Sequence, residues 1–267
     1  MSIRLKAGDY SGTKIREVKH PDFSCSITSY SSSDFNSSRH YHPNTHLSFV
    51  LKGGCEEQKQ THYERKPLST TFYYPGEEHQ INHMAKECIH VNIEFAPSFF
   101  KDRITEEDIA LACKNDATLP LIMARLYKEI QLNDDFVKVG AEGLVLSLPY
   151  IHQSISSKNG PLPHWVMMIK DYLHNHWNRV ITLDELSVIC GVHKVTLSKY
   201  FPKYMGCSLT DYQRKIRISN AMRFIDKKNM CLTEIALACG FADQSHFIRF
   251  FKKFTGFLPK QFEQLQH

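Results

Sequence analysis

One pattern occurs twice in the last third of this chain, and it restricts the fold more than any other feature. Leu183, Glu185, Leu186, Cys190 and Gly191 recur 49 residues later as Leu232, Glu234, Ile235, Cys239 and Gly240. Past that glycine the offset becomes 50, pairing Leu197, Lys199, Phe201, Lys203, Gly206 and Tyr212 with Phe247, Arg249, Phe251, Lys253, Gly256 and Phe262. Two copies are too few for a solenoid but enough for two similar motifs. Each copy predicts a short amphipathic helix, a glycine turn, a longer basic and aromatic helix, and a second glycine. Gly191 and Gly240 stand where a left-handed residue would release the chain from the first helix. Thr182, with Glu185 three residues on, predicts a capping box at the start of the first copy.

The second helix of each copy begins near His193 or Asp243 and divides into two faces. Leu197 and Phe201, or Phe247, Phe250 and Phe251, form the apolar side. The other side offers Lys194, Ser198 and Lys199, or Gln244, Ser245, His246 and Arg249. Amide, hydroxyl and guanidinium groups suit base edges, and ammonium groups suit phosphates. Charge agrees: residues 164–267 hold 15 Lys+Arg against 8 Asp+Glu, whereas the first 163 residues hold 18 against 20. A basic rear joined to a slightly acidic front fits a nucleic-acid module attached to a module for something else.

The stretch CGFADQSHFIRFFKKFTGFLPKQF, residues 239–262, resembles the signature of AraC/XylS-family transcription regulators, and GVHKVTLSKYFPKYMGCSLTDY, residues 191–212, is a less faithful copy. The resemblance covers about 100 residues. It implies a seven-helix domain whose two recognition helices enter successive major-groove segments of double-stranded DNA, about one turn or roughly 34 Å apart. The candidate DNA contacts are His193, Lys194, Val195, Thr196, Ser198 and Lys199 in the first copy, and Gln244, Ser245, His246 and Arg249 in the second. Val195 offers only an apolar contact. Pro202, where the family usually has a helix former, predicts a kink or an early end to the first recognition helix.

Ahead of the repeat the texture changes. Ser24–Ser29, Leu47–Lys52, Thr70–Tyr74 and Cys88–Phe95 read as short strands, punctuated by Gly53-Gly54, Pro67 and Pro75-Gly76. Strands at this spacing predict a small β-barrel or sandwich over about 20–96. Helices follow over about 100–155, with Leu119, Ile122, Met123, Leu126 and Ile130 on one face. Residues 156–163 carry Gly160, Pro161 and Pro163 and read as a linker. The expected architecture is α+β. Residues 1–155 form a sensing and dimerisation domain, and 164–267 an all-α DNA-binding domain with helix-turn-helix motifs at about 183–204 and 232–254.

His40-Tyr-His42-Pro-Asn-Thr-His46, followed by Gly53, is similar to the first cupin motif with His46 in place of the acid. Pro75-Gly76-Glu77-Glu78-His79 resembles the second, one residue shorter. That resemblance implies a cupin-like barrel with His40, His42, His46 and His79 pointing inward, where metal-binding cupins hold a divalent ion. Four imidazoles suit zinc, nickel, copper or iron. The same histidines could instead line a pocket for a small organic effector or simply pack. His62, His83 and His90 read as strand or surface residues.

The function expected is a sequence-specific transcription regulator, by family habit an activator, rather than an enzyme. Its expected partners are DNA, RNA polymerase, an effector and a second copy of itself. The alternative is a cupin metalloenzyme with a helical tail, although His46 stands where a facial triad would need a carboxylate. No nucleophilic triad, phosphate loop or dinucleotide motif is present. The 8 cysteines contain no C-x-x-C pair and read as mostly buried thiols. No run approaches the roughly 18 apolar residues of a membrane span, and residues 1–12 lack a signal-peptide core, so a cytoplasmic location is expected.

Overall fold

The computed structural model describes residues 2–31, 37–100, 104–115, 117–132, 136–153, 162–227 and 230–266. Its N-terminal part holds strands β1 (Ile3–Arg4), β2 (Thr13–Lys19), β3 (Phe23–Tyr30), β4 (His40–Tyr41) and β5 (Thr45–Lys52). Strands β6 (Cys55–Gln58), β7 (His62–Arg65), β8 (Thr70–Tyr73), β9 (Gln80–Asn82) and β10 (Cys88–Phe95) follow. A five-stranded sheet has the order β2-β3-β10-β5-β8, a three-stranded sheet the order β7-β6-β9, and β1 pairs with β4 alone. The long central strands are buried on both faces, with Ile27, Leu47, Phe49, Val91, Ile93 and Phe95 inaccessible to solvent.

The expected cupin-like barrel does not form. Among the described residues, strands β2 and β8 remain open edges of the larger sheet, and no ladder joins it to the smaller one. The reason lies at the end of β5. Gly53 takes a φ of 78° and packs so tightly that a Cβ would fall 2.4 Å from the Glu87 carbonyl oxygen. Only glycine meets both demands. The chain leaving that turn starts β6 in a separate sheet. The two sheets share a small apolar cluster, Tyr30, Val50, Cys55, Ile81, Met84 and Cys88, but remain an open pair.

Three helices continue the chain: α1 (Glu106–Asn115), α2 (Leu119–Gln131) and α3 (Val137–Gln153). Most of the expected linker, residues 156–161, lies outside the described residues. Helix α2 is apolar around much of its circumference because it is covered twice. Beyond Met123, Leu126 and Ile130 it also buries Leu121, Ala124 and Tyr127, and it packs on the sheet strands and on α7 and α9 of the C-terminal half. One continuous core therefore runs from Phe49 and Phe95 through Met123 to Phe247 and Phe251.

The C-terminal half comprises α4 (His164–Asn175), α5 (Leu183–Cys190), α6 (Lys194–Met205), α7 (Leu209–Asp226), α8 (Leu232–Ala238), α9 (Gln244–Thr255) and α10 (Pro259–Gln266). The sequence repeat is realised as α5–α6 and α8–α9, with Gly191, Gly206, Gly240 and Gly256 at φ of 66°, 65°, 74° and 80°. Ser208 and Asp243 cap α7 and α9, accepting from the backbone N–H of Asp211 and His246. Thr182 Oγ1 accepts from Glu185 N at 3.1 Å, but the Glu185 carboxylate is drawn away to Arg179 and to the Tyr172 hydroxyl. The arginine holds that carboxyl at about 2, far below its usual range. Of the kink or early end expected at Pro202, the early end does not occur: α6 runs on to Met205. The missing N–H falls in the last turn, and the Pro202 carbonyl still accepts from Gly206 at 2.9 Å.

The two helix-turn-helix units are joined through one side chain of α7. Arg217 is buried and donates from Nε to the Trp177 carbonyl (2.8 Å), from Nη1 to that of Gly240 (2.7 Å) and from Nη2 to that of Arg179 (2.7 Å). It thus ties the loop before α5 to the turn between α8 and α9. Gly240 cannot carry a side chain here, since a Cβ would lie 2.6 Å from the Asn178 carbonyl oxygen. Removing the guanidinium orphans three acceptors at about 1–3 kcal/mol each, less any rescue by water. Arg217→Met should therefore lower stability by about 3 kcal/mol or more in urea unfolding. A point charge cannot span three carbonyls, so Arg217→Lys should recover little of this. A change below about 1 kcal/mol for Arg217→Met would show that the link is not structural.

Candidate nucleic-acid interface and histidine cluster

Helices α6 and α9 present comparable outer faces. On α6, His193, Lys194, Val195, Ser198, Lys199 and Tyr200 are exposed and Thr196 is half-buried, while Leu197 and Phe201 face the core. Lys194, Val195, Ser198 and Lys199 line one open recess together with Leu183. His193 serves as the N-cap, its Nδ1 3.4 Å from Val195 N. Lys194 Nζ reaches Asp184 at 2.8 Å, an exposed pair of the kind that stabilises little and exchanges readily.

On α9, Ser245 and Arg249 are exposed and Gln244 is half-buried. Thr233 of α8 donates to Gln244 Oε1 at 2.7 Å. Thr233 and Asp184 are equivalent positions of the repeat, so each unit braces the first residue of its second helix from its first helix. His246 behaves differently from the expectation that it faces outward. Its ring packs edge-on against Phe250 (4.9 Å) and Phe241 (5.6 Å), and desolvation lowers its pKa. Arg249 lies 5.2 Å from the Phe250 ring, with Arg214 at 4.3 Å.

Sequence reasoning did not single out Arg217, Asp184 or Thr233. The repeat itself pairs Asp184 with Thr233, a signal that was available. Nothing local marks Arg217, whose three acceptors lie 23 to 40 residues away.

Between the two sheets lies the histidine cluster. His40, His42, His46 and His79 are all buried, and ligand atoms of His40, His42 and His79 lie within 4.8 Å of one another. An antiparallel bridge between His40 and His79 sets two of them. His40 Nδ1 lies 2.7 Å from the Ser38 carbonyl and His79 Nδ1 3.1 Å from that of Glu77. A carbonyl only accepts, so each Nδ1 carries the proton and each Nε2 keeps its lone pair. That is the outer bonding that orients metal-ligating imidazoles. The trio could therefore coordinate a divalent transition metal.

His46 is adjacent but stands outside the trio, stacked on Tyr73 at 4.2 Å with the rings 7° apart. Of the other histidines, His90 has its ring nitrogens near Ser48 Oγ and Cys88 Sγ, and His62 lies exposed beside Glu56. Buried among the same walls, Arg65 donates to the Tyr73 hydroxyl (3.1 Å) and the Ser48 carbonyl (2.7 Å), while Tyr73 donates to Glu57 (2.8 Å). The free volume at the cluster is only about 10 Å³. That admits an ion or a single water.

Residues 186–264 match the family model of a helix-turn-helix domain. The chain is 30% identical over 105 residues to the bifunctional transcriptional activator and DNA repair enzyme AdaA of Bacillus subtilis, covering 39% of this chain and 50% of that protein. It is 30% identical over 229 residues to an uncharacterized HTH-type transcriptional regulator of Staphylococcus aureus, covering 81% of this chain and 31% of that one. The chain thus spans half or less of the length of these relatives. Among solved structures it is similar to the C-terminal domain of AraT, a response regulator from Geobacillus stearothermophilus, with 27% identity, 39% of this chain, 86% of that chain and a TM-score of 0.37. ToxT from Vibrio cholerae aligns over 92% of this chain and 99% of its own at 16% identity and a TM-score of 0.39. The C-terminal half is a tandem helix-turn-helix domain. No described helix is long and apolar enough to cross a membrane.

Burial holds all four cluster histidines below the ordinary imidazole value, His42 at about 3 and His79 at about 2. The unfolded chain therefore binds more protons once pH falls below about 6.5. Stability present above that value is lost progressively toward the folded-state pKa values, at most about 1.4 kcal/mol per pH unit for each histidine. The urea midpoint should fall between pH 7 and pH 5, and a His42→Gln, His79→Gln double variant should show a shallower fall. Equal slopes in the two proteins would show that these imidazoles are not the titrating groups.

Proposed function

We propose that this protein is a DNA-binding transcription regulator of the AraC/XylS type, whose N-terminal half receives a signal at the histidine cluster. One observation carries the reading. Two helix-turn-helix units, bolted together by Arg217, each expose a polar and basic helix face of the kind that reads a major groove. The names of the relatives support regulation rather than catalysis as the principal role. Val195, Ser198 and Lys199 would read the first segment, with His193 and Thr196 flanking them. Gln244, Ser245 and Arg249 would read the second, with His246 supporting the helix from beneath. Because Thr233 donates to Gln244 Oε1, the amide keeps its N–H₂ as the donor it can offer, which would suit purine N7 or guanine O6.

At the histidine cluster, the small free volume favours a divalent metal on His40, His42 and His79 over an organic effector. Activation through RNA polymerase extends the analogy with AdaA, a transcriptional activator. A homodimer through α3 is favoured by Val139 and Leu146, seven residues apart and exposed, with exposed Phe136 beside them. Helix α2 offers no such surface, since its apolar excess is covered by α7 and α9.

Selection of bound duplexes from a random pool supplies the site, and affinity over a salt series tests the roles. Arg249→Ala should cost about 1–3 kcal/mol of discrimination at one base pair. Lys194→Ala should weaken binding to all sequences and reduce the salt slope by about one. Wild-type discrimination and slope in both variants would remove α6 and α9 as the reading elements.

A further inference from the structure

The repeat places chemically unlike residues at equivalent positions of the two reading helices. At the offset of 50, Lys194, Val195, Ser198 and Lys199 of α6 stand where α9 has Gln244, Ser245, Ile248 and Arg249. Helix α9 thus carries an amide and a guanidinium, the groups that hold a base edge by paired hydrogen bonds, whereas α6 contains no Arg, Asn or Gln. At its second position α6 presents Val195 instead, 61% exposed. Leu183, the first residue of α5, is 38% exposed and lines the same open recess. Among the described residues, the rest of that lining is Lys194, Ser198 and Lys199. Neither apolar side chain serves the core. Leu232, the equivalent of Leu183, packs against the main cluster, while the first unit's own cluster is built on Leu186, Leu197 and Phe201 without Leu183 or Val195. Nor does Val195 serve the helix, since its branched Cβ makes it a poorer helix former than the Ala, Lys or Glu that suit an exposed position.

We propose that Leu183 and Val195 form an apolar contact for the C5 methyl group of a pyrimidine in the major groove. That base is thymine in an unmodified duplex, and 5-methylcytosine where cytosine is methylated. The inference rests on the DNA-binding reading above and gives the first unit its means of selecting sequence. The thymine methyl is the one apolar group that an unmodified base pair presents in the major groove. Burying it against two aliphatic side chains takes apolar surface of both partners out of water, and one buried carbon of this kind is worth about fourfold in affinity. The lysines beside the recess suit the phosphates around such a base, and as flexible point charges they select no base themselves. The two units then read different features, the first a methyl group and the second a hydrogen-bonding edge. Methylation of a cytosine under α6 would strengthen binding rather than block it.

The test uses the full chain and a duplex selected from random sequence, with affinity read by fluorescence anisotropy at one salt concentration. Deoxyuridine in place of each thymine of the site in turn removes one methyl and leaves both the protein and the base pairing untouched. One such replacement should weaken binding about threefold to tenfold, and at that pair 5-methylcytosine should bind more tightly than cytosine by a similar factor. Val195→Ser should bind the thymine and deoxyuridine duplexes equally, whereas Val195→Ile, which keeps an apolar surface, should retain the wild-type ratio. Arg249→Ala should retain it too, because its loss falls on the other segment. No deoxyuridine replacement that costs about threefold, equal binding of cytosine and 5-methylcytosine, or a thymine preference that persists in Val195→Ser would each overturn the inference while leaving DNA binding intact. A chain that selects no duplex would overturn the regulator reading and this inference with it.

Discussion

Arg217 is the constraint on which the helix-turn-helix half depends. Two short helical hairpins have no intrinsic reason to keep a fixed relation, because each can bury its own apolar stripe. A planar, permanently charged group with donors at fixed angles imposes one. By holding the carbonyls of Trp177, Arg179 and Gly240 together, it sets the start of α5 against the turn that launches α9. Gly240 is the complement of that arrangement, since both its left-handed backbone and the nearby Asn178 carbonyl exclude a side chain.

How the rest of the molecule attaches follows from α2. Its apolar surface exceeds what the sheet can cover, and α7 and α9 cover the excess. Further contacts reinforce the junction. Gln266 Nε2 donates to the Leu51 carbonyl at 2.6 Å, and Lys128 lies over the Phe257 ring at 5.2 Å. The second recognition unit is thereby part of the N-terminal body, while the first is joined mainly through α7.

Local chemistry was legible in the sequence, and non-local pairing was not. The glycine turns, the N-caps and the two buried aromatic faces follow from residues within a few positions of one another. So does the sharing of one side by His40 and His42. Sheet closure depends instead on which strand meets which across dozens of residues. The turn at Gly53 sends β6 into a separate ladder that alternation cannot foretell. His46 illustrates the same limit, since its spacing groups it with His42 but Tyr73, 27 residues on, stacks on its ring. The apolar excess of the helical segment was visible too, yet its amount alone could not distinguish a second copy from the C-terminal half of the same chain.

As the proposed reading elements, α6 and α9 would act on one DNA face at a fixed separation. Hydroxyl-radical footprinting of the full chain on a duplex selected from random sequence measures this directly. Two protected segments centred about one helical turn, roughly 34 Å, apart on the same face are expected. A single protected segment, or two on opposite faces, would contradict the joint placement of α6 and α9.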